Sequence, residues 1–238
     1  MLGASIMAAT VFNAAQAVEI TANGGAVTQY IFRGIPQSDG KAAAQGGLDL
    51  AQSGFYLGTW ISQVDTSARA TIDPDTGEPT FDLPATGLEY DLYGGYGIDI
   101  GDFSLGIGAT GYFYTDDFDE TYIEANFSAG WKFITIDYAI GEYDSSPKTA
   151  DYTFANISLD YVGFYGKWGT FGNDFNGDYF EVGYGNTLTV ADTDLFDYTF
   201  AIIRSDEDLS FKVDRNGNPD SDTFFYAGVT KTFDIFSN

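Results

Sequence analysis

The sequence repeats one pattern twelve times from about Ile20 to its C-terminal end. Each repeat is a run of roughly 9 to 13 residues in which apolar side chains alternate with polar or small ones, followed by a turn rich in Gly, Asp and Asn. Successive residues of a β-strand point to opposite faces, so this alternation gives every strand one apolar face. Long polar turns alternate with very short ones. The pattern therefore predicts an all-β fold, a transmembrane antiparallel up-and-down β-barrel of about 12 strands.

The predicted strands and turns follow from this repeat. The strands are 20–32, 41–51, 54–65, 86–99, 103–115, 120–131, 133–143, 151–161, 163–171, 178–188, 195–204 and 222–234. The short turns are 52–53, 100–102, 132 and 162, with a somewhat longer one at 189–194, and the longer connections include 66–85 and 205–221. If the N-terminus lies in the periplasm, every longer connection faces outside.

The composition argues against several functional classes. The formal net charge is −25, from 35 acidic and 10 basic residues, and the phosphates of nucleic acid would repel such a chain. The absence of Cys and His removes thiolate catalysis, Cys-based metal sites and the usual general base. We therefore expect no enzyme activity, no catalytic residues and no cofactor, although Ser–Lys or paired-carboxylate chemistry stays formally open. No apolar stretch is long enough for a transmembrane helix.

The N-terminal segment Met1–Ala17 has the composition of a signal peptide. It is small and apolar, and it ends in Ala15-Gln16-Ala17, which fits the A-x-A cleavage pattern. No Lys or Arg precedes the apolar region, so we expect the basic n-region to lie upstream; a buried N-terminal helix is the alternative. We accordingly expect residues 1–17 to be a signal peptide, residues 18–238 to be the barrel, and the barrel to lie in the bacterial outer membrane.

The polar faces of the predicted strands carry almost all mid-strand charges. In strand 6, Ile123 and Phe127 share one face, and Glu124 and Asn126 share the other. Because Arg or Lys facing lipid near the bilayer centre costs roughly 2–4 kcal/mol, the polar faces should enclose the lumen. The faces of strands 3 and 12 are ambiguous, and Lys231 is best placed near a membrane interface. The charged side chains expected to line the lumen are Arg33, Asp49, Glu89, Asp91, Glu124, Asp137, Asp160, Lys167, Glu181 and Asp197, with Lys41 as a further base.

This set contains eight acids and three bases, and acidic pore linings favour cations. Two interpretations stay open at this point. Twelve strands could enclose a narrow open pore, or the charged groups could pair with one another and with Tyr hydroxyls and fill the lumen.

Two loops invite a more specific interpretation. Arg33 could fold inward as a constriction cation, but we favour a simple Pro/Ser/Asp/Gly turn whose Arg pairs with a neighbouring carboxylate. A second loop places oxygen-bearing side chains at alternate positions, which suits calcium: Asp214, Asn216, Asn218, Asp220 and Asp222. Pro219 stands where an EF-hand loop needs Gly, and no Glu closes the loop, so we favour a solvated hairpin tip. Divalent cations could still bridge the acidic outer loops.

Several segments together form a recognisable signature. They are FRGIPQSDGK (32–41), QGGLDL (45–50), SGFYLGTW (53–60), EYDLYGGYG (89–97) and GDYFEVGYG (177–185). On these segments the chain resembles the TorF family, proteobacterial proteins regarded as porins, over nearly all of its mature length. The resemblance implies an outer-membrane barrel with a pore function, and it brings no catalytic or binding residues. Family members tend to end on an aromatic residue in a segment like GVTKTF (228–233), whereas here DIFSN (234–238) follows.

The resulting functional hypothesis is a porin-like channel for passive diffusion of small solutes, biased towards cations by an acidic lumen. The alternative is a closed barrel that acts through its acidic outer loops, in adhesion, as a receptor or in stabilising the envelope. The expected partners are outer-membrane lipid, small solutes or cations, and divalent cations at the outer loops, with no nucleic acid. A monomer is favoured.

Overall fold

The computed structural model describes residues 18–66, 69–72, 79–82, 85–144 and 148–237. The expected signal peptide lies outside these residues and stays a prediction. Twelve long strands form one closed barrel. They are β1 (Glu19–Val27), β2 (Ala43–Gln52), β3 (Phe55–Thr66), β4 (Ala85–Ile100), β5 (Phe103–Tyr114), β6 (Tyr122–Trp131), β7 (Ile134–Tyr143), β8 (Ala150–Tyr161), β9 (Phe164–Asn173), β10 (Asp178–Val190), β11 (Thr193–Ser205) and β12 (Asp222–Ser237).

The barrel has up-and-down topology. Each strand pairs antiparallel with its neighbours in the chain, and residues 228–237 of β12 pair with the whole length of β1. Closure leaves no barrel strand with an unpaired edge, which is what a β-structure needs in order to cross a membrane. The predicted fold class and strand number are confirmed.

Both ends of the barrel sequence differ from the prediction. The first strand ends at Val27 rather than at residue 32, because the chain then turns into the lumen. The last strand continues to Ser237, with Ser237 opposite Glu19 and Phe236 opposite Ile20. The final residues after Phe233 therefore extend β12 and are paired to β1, with a bulge between Ile20 and Thr21.

Two-residue turns close the end of the barrel where β1 begins. They are Ser53–Gly54, Gly101–Asp102, Lys132–Phe133, Val162–Gly163 and Ala191–Asp192. Both residues of the first turn have positive φ, 51° for Ser53 and 87° for Gly54, as type I′ hairpin turns require. The connection predicted at 189–194 is therefore shorter than expected, because β10 and β11 both run up to Ala191–Asp192.

The opposite end carries the longer connections, and three of them contain small hairpins. These pair Ile31–Phe32 with Ile35–Pro36, Arg69–Ile72 with Pro79–Asp82, and Lys212–Val213 with Pro219–Asp220. The last connection also contains a short helix, α1 (Glu207–Ser210), whose first amides are capped by the Asp206 carboxylate.

The two faces of the barrel wall differ in polarity. Large apolar side chains point outward and stay exposed, for example Leu57 at 62%, Val182 at 59% and Phe200 at 59%. The strands that were ambiguous in sequence follow the same rule. In β3, Ile61 points outward and Ser62 inward; in β12, Val229 points outward and Thr230 inward.

This apolar outer surface identifies the medium around the barrel. An exposed apolar band around a closed antiparallel barrel, with aromatic residues at its borders, is the architecture of outer-membrane proteins. Aromatic pairs lie beside the two-residue turns: Phe55 with Tyr96, Phe103 with Trp131, and Phe164 with Tyr184. The protein is therefore an outer-membrane β-barrel. No helix in the described part of the chain is long and apolar enough to cross a membrane.

Lys231 is the mid-strand charge that sequence placed near an interface. Its side chain is on the outward face of β12, and its ammonium donates to the carbonyl of Asp194 at 2.6 Å. Asp194 lies two residues from the Ala191–Asp192 turn, so the ammonium reaches the border of the apolar band.

Candidate functional site in the barrel lumen

Residues Tyr30–Ser38, here called the lumen hairpin, fold from the outer rim into the barrel. Arg33 and Gly34 form its two-residue turn, with φ of 50° and 83°. The Ser38 hydroxyl closes its base, because Oγ accepts the Tyr30 N–H at 2.8 Å and donates to the Lys41 carbonyl at 2.6 Å. Tyr30 and Ser38 are each only 2% exposed, so the hairpin belongs to the interior of the molecule.

The tip of the hairpin carries an ion pair across the lumen. The Arg33 guanidinium donates to both carboxylate oxygens of Glu124 on β6, at 2.7 and 2.8 Å. It also lies over the ring of Phe154 on β8, 4.2 Å from the centroid. The Glu124 side chain is fully buried and that of Arg33 is 13% exposed, so a planar bidentate pair forms away from water.

Further donors complete the shell around the Glu124 carboxylate. The Tyr112 hydroxyl donates at 2.7 Å, the Tyr152 hydroxyl at 3.0 Å and the Asn126 amide at 2.6 Å. A buried charge is stable only when it is paired and its remaining lone pairs are satisfied, and this carboxylate meets both conditions.

Gly34 fits the hairpin tip against the far wall. Its carbonyl accepts the Ser205 hydroxyl of β11 at 2.6 Å. A Cβ on Gly34 would lie 2.7 Å from the Cβ of Tyr179 on β10, so the backbone approaches this wall more closely than any side chain allows. Glycine is required here both for its positive φ and for space.

The base of the hairpin contacts the opposite wall. The Tyr30 hydroxyl donates to Glu89 Oε1 on β4 at 2.6 Å, and the Tyr30 ring packs on Trp60 of β3, with centroids 5.3 Å apart. Through these contacts and those of Arg33 and Gly34, the lumen hairpin touches strands on both sides of the barrel. It therefore fills the outer half of the lumen, where most of the buried apolar side chains that the structure describes also lie.

The lumen hairpin narrows the barrel to a constriction. Asp91 on β4 lies next to this constriction and is fully buried. Neither of its carboxylate oxygens has a hydrogen-bond partner among the described residues. Glu89 lies two residues before Asp91, on the same inward face of β4. Burial of a polar group without a hydrogen-bond partner is unfavourable, so Asp91 is the least satisfied polar side chain of the lumen wall among the described residues.

The periplasmic half of the lumen is polar and more accessible, because its acids are half-buried rather than sealed. Each of three carboxylates there accepts one side-chain donor: Asp49 from Tyr93 at 2.5 Å, Glu181 from Tyr165 at 2.7 Å, and Asp197 from Thr187 at 2.5 Å. Asp137 accepts the Asn156 amide at 3.3 Å, and Asp160 also faces inward on β8. Lys167 lies over the Tyr165 ring, 5.3 Å from the centroid.

The structure brings the predicted lumen residues onto one surface. All ten charged residues that the sequence assigned to the lumen point into it, and their role as a pore lining stays a prediction. Lys41, the further base expected in the lumen, does not point into it, since it is exposed at the outer rim before β2 begins and pairs with Asp65. The local Arg33 pairing that we favoured is also wrong, because Arg33 reaches Glu124, 91 residues further along the chain.

Sequence reasoning missed the aromatic side chains that frame the constriction. Tyr30, Trp60, Tyr112, Tyr152, Phe154 and Tyr179 all face inward and contact the lumen hairpin or its ion pair. The sequence did contain one signal for the hairpin. Ile31-Phe32 and Ile35-Pro36 flank an Arg-Gly pair, which is the pattern of a two-residue hairpin.

The loop considered for calcium forms a compact turn. Asp214 Oδ1 accepts the N–H groups of Asn216 and Asn218 at 2.7 and 2.9 Å. The hydrogen bond from the Asn218 backbone, followed by that from its side chain, holds the pKa of Asp214 below its usual range. Within the described ranges, no group of three or more Asp, Glu, His or Cys residues is arranged to hold a metal ion.

Comparisons with known proteins place the chain in a family. Residues 12–161, or 150 of the 238 residues, match the family model described as Gcw_chp, bacterial protein of unknown function. No curated protein sequence matches the chain.

Solved structures of outer-membrane proteins are similar at low sequence identity. Pseudomonas aeruginosa OpdK with vanillate is 11% identical, with 92% of this chain and 98% of that chain covered, at a TM-score of 0.35. P. aeruginosa OccK2 (OpdF) is 11% identical, with 92% of this chain and 98% of that chain covered, at a TM-score of 0.37. The Escherichia coli outer-membrane protease OmpT is also 11% identical, with 92% of this chain and 96% of that chain covered, at a TM-score of 0.28. All these TM-scores are below 0.5, and we rest no functional statement on them.

Proposed function

Because the chain belongs to Gcw_chp, a bacterial family of unknown function, we propose its function from the barrel itself: a porin-like outer-membrane channel for small solutes, biased towards cations. The observation that carries this proposal is the charge of the inward face. Eight acids and two bases point into the lumen, counting Arg33 and excluding Lys41, for a formal sum of −6.

The positions of these charges support a cation bias. Three acids, Glu89, Asp91 and Glu124, lie in or next to the constriction. The other five stay half-buried in the periplasmic half: Asp49, Asp137, Asp160, Glu181 and Asp197. A low-dielectric wall lined by one sign of charge concentrates the opposite ion in the space that it encloses. Carboxylates in this arrangement attract cations and repel anions, as acidic rings do in cation channels.

The lumen hairpin supplies the constriction of the proposed channel. It contacts β3, β4, β6, β8, β10 and β11 through the side chains described above. Passage of a solute through the outer half of the barrel therefore requires the hairpin to move aside. Loops of this size move on nanosecond to microsecond timescales once their contacts break, and larger rearrangements take longer. The resemblance to the TorF family is consistent with this function.

Single-channel recording on a loop-exchange variant tests the proposal. Residues 31–36 are replaced by a Gly-Ser sequence of equal length, which keeps the chain length and removes the contacts of the tip. Wild-type protein in a planar bilayer should show small or infrequent openings, and the variant should conduct several times more. The matched control replaces residues 214–219 in the same way, and its conductance should equal that of the wild type.

Heat-modifiable migration on a gel first establishes that each variant is a folded barrel. Equal conductance in the wild type and the lumen-hairpin variant would overturn the hairpin as the constriction. Silent bilayers with both folded proteins would overturn the channel itself.

A second candidate function has one observation in its favour. The hairpin is fixed from both sides of the barrel, by the ion pair with Glu124 and by the Ser205 and Tyr30 hydrogen bonds. A barrel closed in this way could act through its acidic outer loops, in adhesion, as a receptor or in stabilising the envelope. Silent bilayers from the lumen-hairpin variant are the result that favours this alternative.

A further inference from the structure

A cavity of about 520 Å³ opens at the outer mouth of the barrel, above the lumen hairpin. Ile35, Pro36 and Gln37 of the hairpin form part of its wall. The remaining wall comes from the ends of β3 and β9, from Tyr122 at the start of β6, from the connections after β5 and β9, and from α1 with Phe211. Its volume falls within the range of about 300–1,000 Å³ that small-molecule sites occupy.

Aromatic rings form much of this wall. Phe118, Tyr122, Phe171 and Phe175 line the cavity, and so does Phe211, which follows α1. Phe175 is held in place because it stacks on Tyr152, with centroids 5.1 Å apart and planes at 8°, and meets Tyr122 edge to face. Phe175 and Tyr122 are therefore held by ring contacts while they also border the cavity.

Acidic side chains supply the charge of the cavity. Asp65, Asp119 and Asp208 line it, and no Lys or Arg is among the lining residues that the structure describes. The Asp119 carboxylate accepts the Tyr143 hydroxyl at 2.7 Å and the Tyr122 hydroxyl at 3.0 Å. These phenols hold the carboxylate in position but bring no positive charge, whereas Asp65 is already paired with Lys41 at the rim.

We propose that this cavity binds a small organic cation with an aromatic or apolar body. Ring faces attract a cation electrostatically, and a carboxylate next to them adds a charge partner that a neutral ligand would leave unused. An anion would meet three carboxylates, and a bare metal ion would gain nothing from the aromatic wall. The cavity lies at the outer mouth and only borders the lumen hairpin, so this inference holds whether or not the barrel conducts.

Calorimetric titration of the whole protein in zwitterionic nanodiscs tests the proposal, with phenethylammonium as the probe. The analogues 2-phenylethanol and 3-phenylpropionate keep the ring and replace the cation by a neutral and an anionic group. Phenethylammonium should bind with one site per barrel, at least about fivefold more tightly than 2-phenylethanol, and 3-phenylpropionate should not bind detectably. Empty nanodiscs correct for partition into lipid.

Two pairs of variants locate the site. Asp119→Asn should weaken phenethylammonium binding about fivefold or more, while Asp117→Asn, on the same loop but outside the cavity, should leave it unchanged. Phe175→Leu should weaken binding about two- to fivefold through the lost ring, and Phe180→Leu on the lipid face should have no effect.

The competing outcomes are distinct. Equal affinity for phenethylammonium and 2-phenylethanol would overturn recognition of the charge. Equal effects of Asp119→Asn and Asp117→Asn, with all variants heat-modifiable, would overturn the location. Conductance plays no part in these readouts, so failure of this inference and failure of the channel proposal can be told apart.

Discussion

Arg33 and Glu124 form the contact on which the interior of the barrel depends most. The pair is bidentate, desolvated and surrounded by phenols, in contrast to the ion pairs at the rim, such as Lys212 with Asp222 at 3.2 Å. Exposed pairs contribute about 0–1 kcal/mol, because water and salt screen them. Loss of one partner from a buried pair costs more, since the remaining charge is left without compensation.

Arg33→Ala should therefore lower the free energy of unfolding by about 3–5 kcal/mol, because it leaves the Glu124 carboxylate buried and unpaired. Adding Glu124→Gln to this variant should recover part of the loss, since it removes the stranded charge. The measurement is urea unfolding in detergent, followed by Trp60 fluorescence in a background with Trp131→Phe and Trp168→Phe. Trp60 reports on the hairpin because its ring packs on Tyr30.

Lys212→Ala is the control for this measurement. The Lys212 side chain is 43% exposed and that of its partner Asp222 is 35% exposed. The free energy of unfolding should therefore stay within about 0.5 kcal/mol of the wild type. Similar costs for Arg33→Ala and Lys212→Ala would mean that the Arg33 pair is not a buried anchor.

The lumen hairpin is the element that distinguishes this barrel from an open tube. Its tip can sit against Tyr179 only because Gly34 has no side chain. Gly40, at the rim, has a similar backbone conformation, with φ of 71°, but nothing lies within 4 Å of the position of its Cβ. The two glycines therefore separate the cost of a positive φ from the cost of lost space.

Gly34→Ala should displace the hairpin, whereas Gly40→Ala should not. Both substitutions carry the left-handed penalty of about 1–2 kcal/mol, and Gly34→Ala adds an overpacking cost of about 1–3 kcal/mol. Exchange of hairpin amide hydrogens should accelerate in Gly34→Ala and remain close to wild type in Gly40→Ala. Equal exchange rates in the two variants would contradict the close packing of the tip.

The elements divide clearly into those that sequence could predict and those that it could not. Lipid requires an apolar residue at every second position, so Ile123, Phe127 and their counterparts reveal strand, face and lumen from local pattern alone. The lumen hairpin depends on partners far away in the sequence. Tyr30 and Glu89 are 59 residues apart, Arg33 and Glu124 are 91 apart, and Gly34 and Ser205 are 171 apart. No local pattern encodes such contacts, which is why alternation indicated the inward faces of the strands but not the contacts of the lumen hairpin.

The organic-cation cavity was hidden from sequence for the same reason. Asp119 and Phe175 belong to different outer connections, and no local pattern relates the two. Their proximity arises from the closure of the barrel, which brings the ends of strands far apart in sequence to one rim.

The whole molecule presents three layers along the barrel axis. The outer mouth is aromatic and acidic, the middle is filled by the lumen hairpin, and the periplasmic half is a polar space with half-buried acids. Selectivity of the proposed channel belongs to the periplasmic half, because Asp160 and Glu181 are accessible there. Glu124 belongs to the constriction, so its neutralisation should change hairpin stability more than ion preference.

The reversal potential of single channels under a KCl gradient tests the central claim most directly, that the acidic lumen forms a cation-biased pore. It is best measured on the Gly-Ser variant of residues 31–36, in which the constriction is removed. We expect a reversal potential shifted towards that of K⁺, and a smaller shift after Asp160→Asn with Glu181→Gln, but no change after Glu207→Gln at the rim. An anion-selective potential, or no current through correctly folded barrels, would contradict the account.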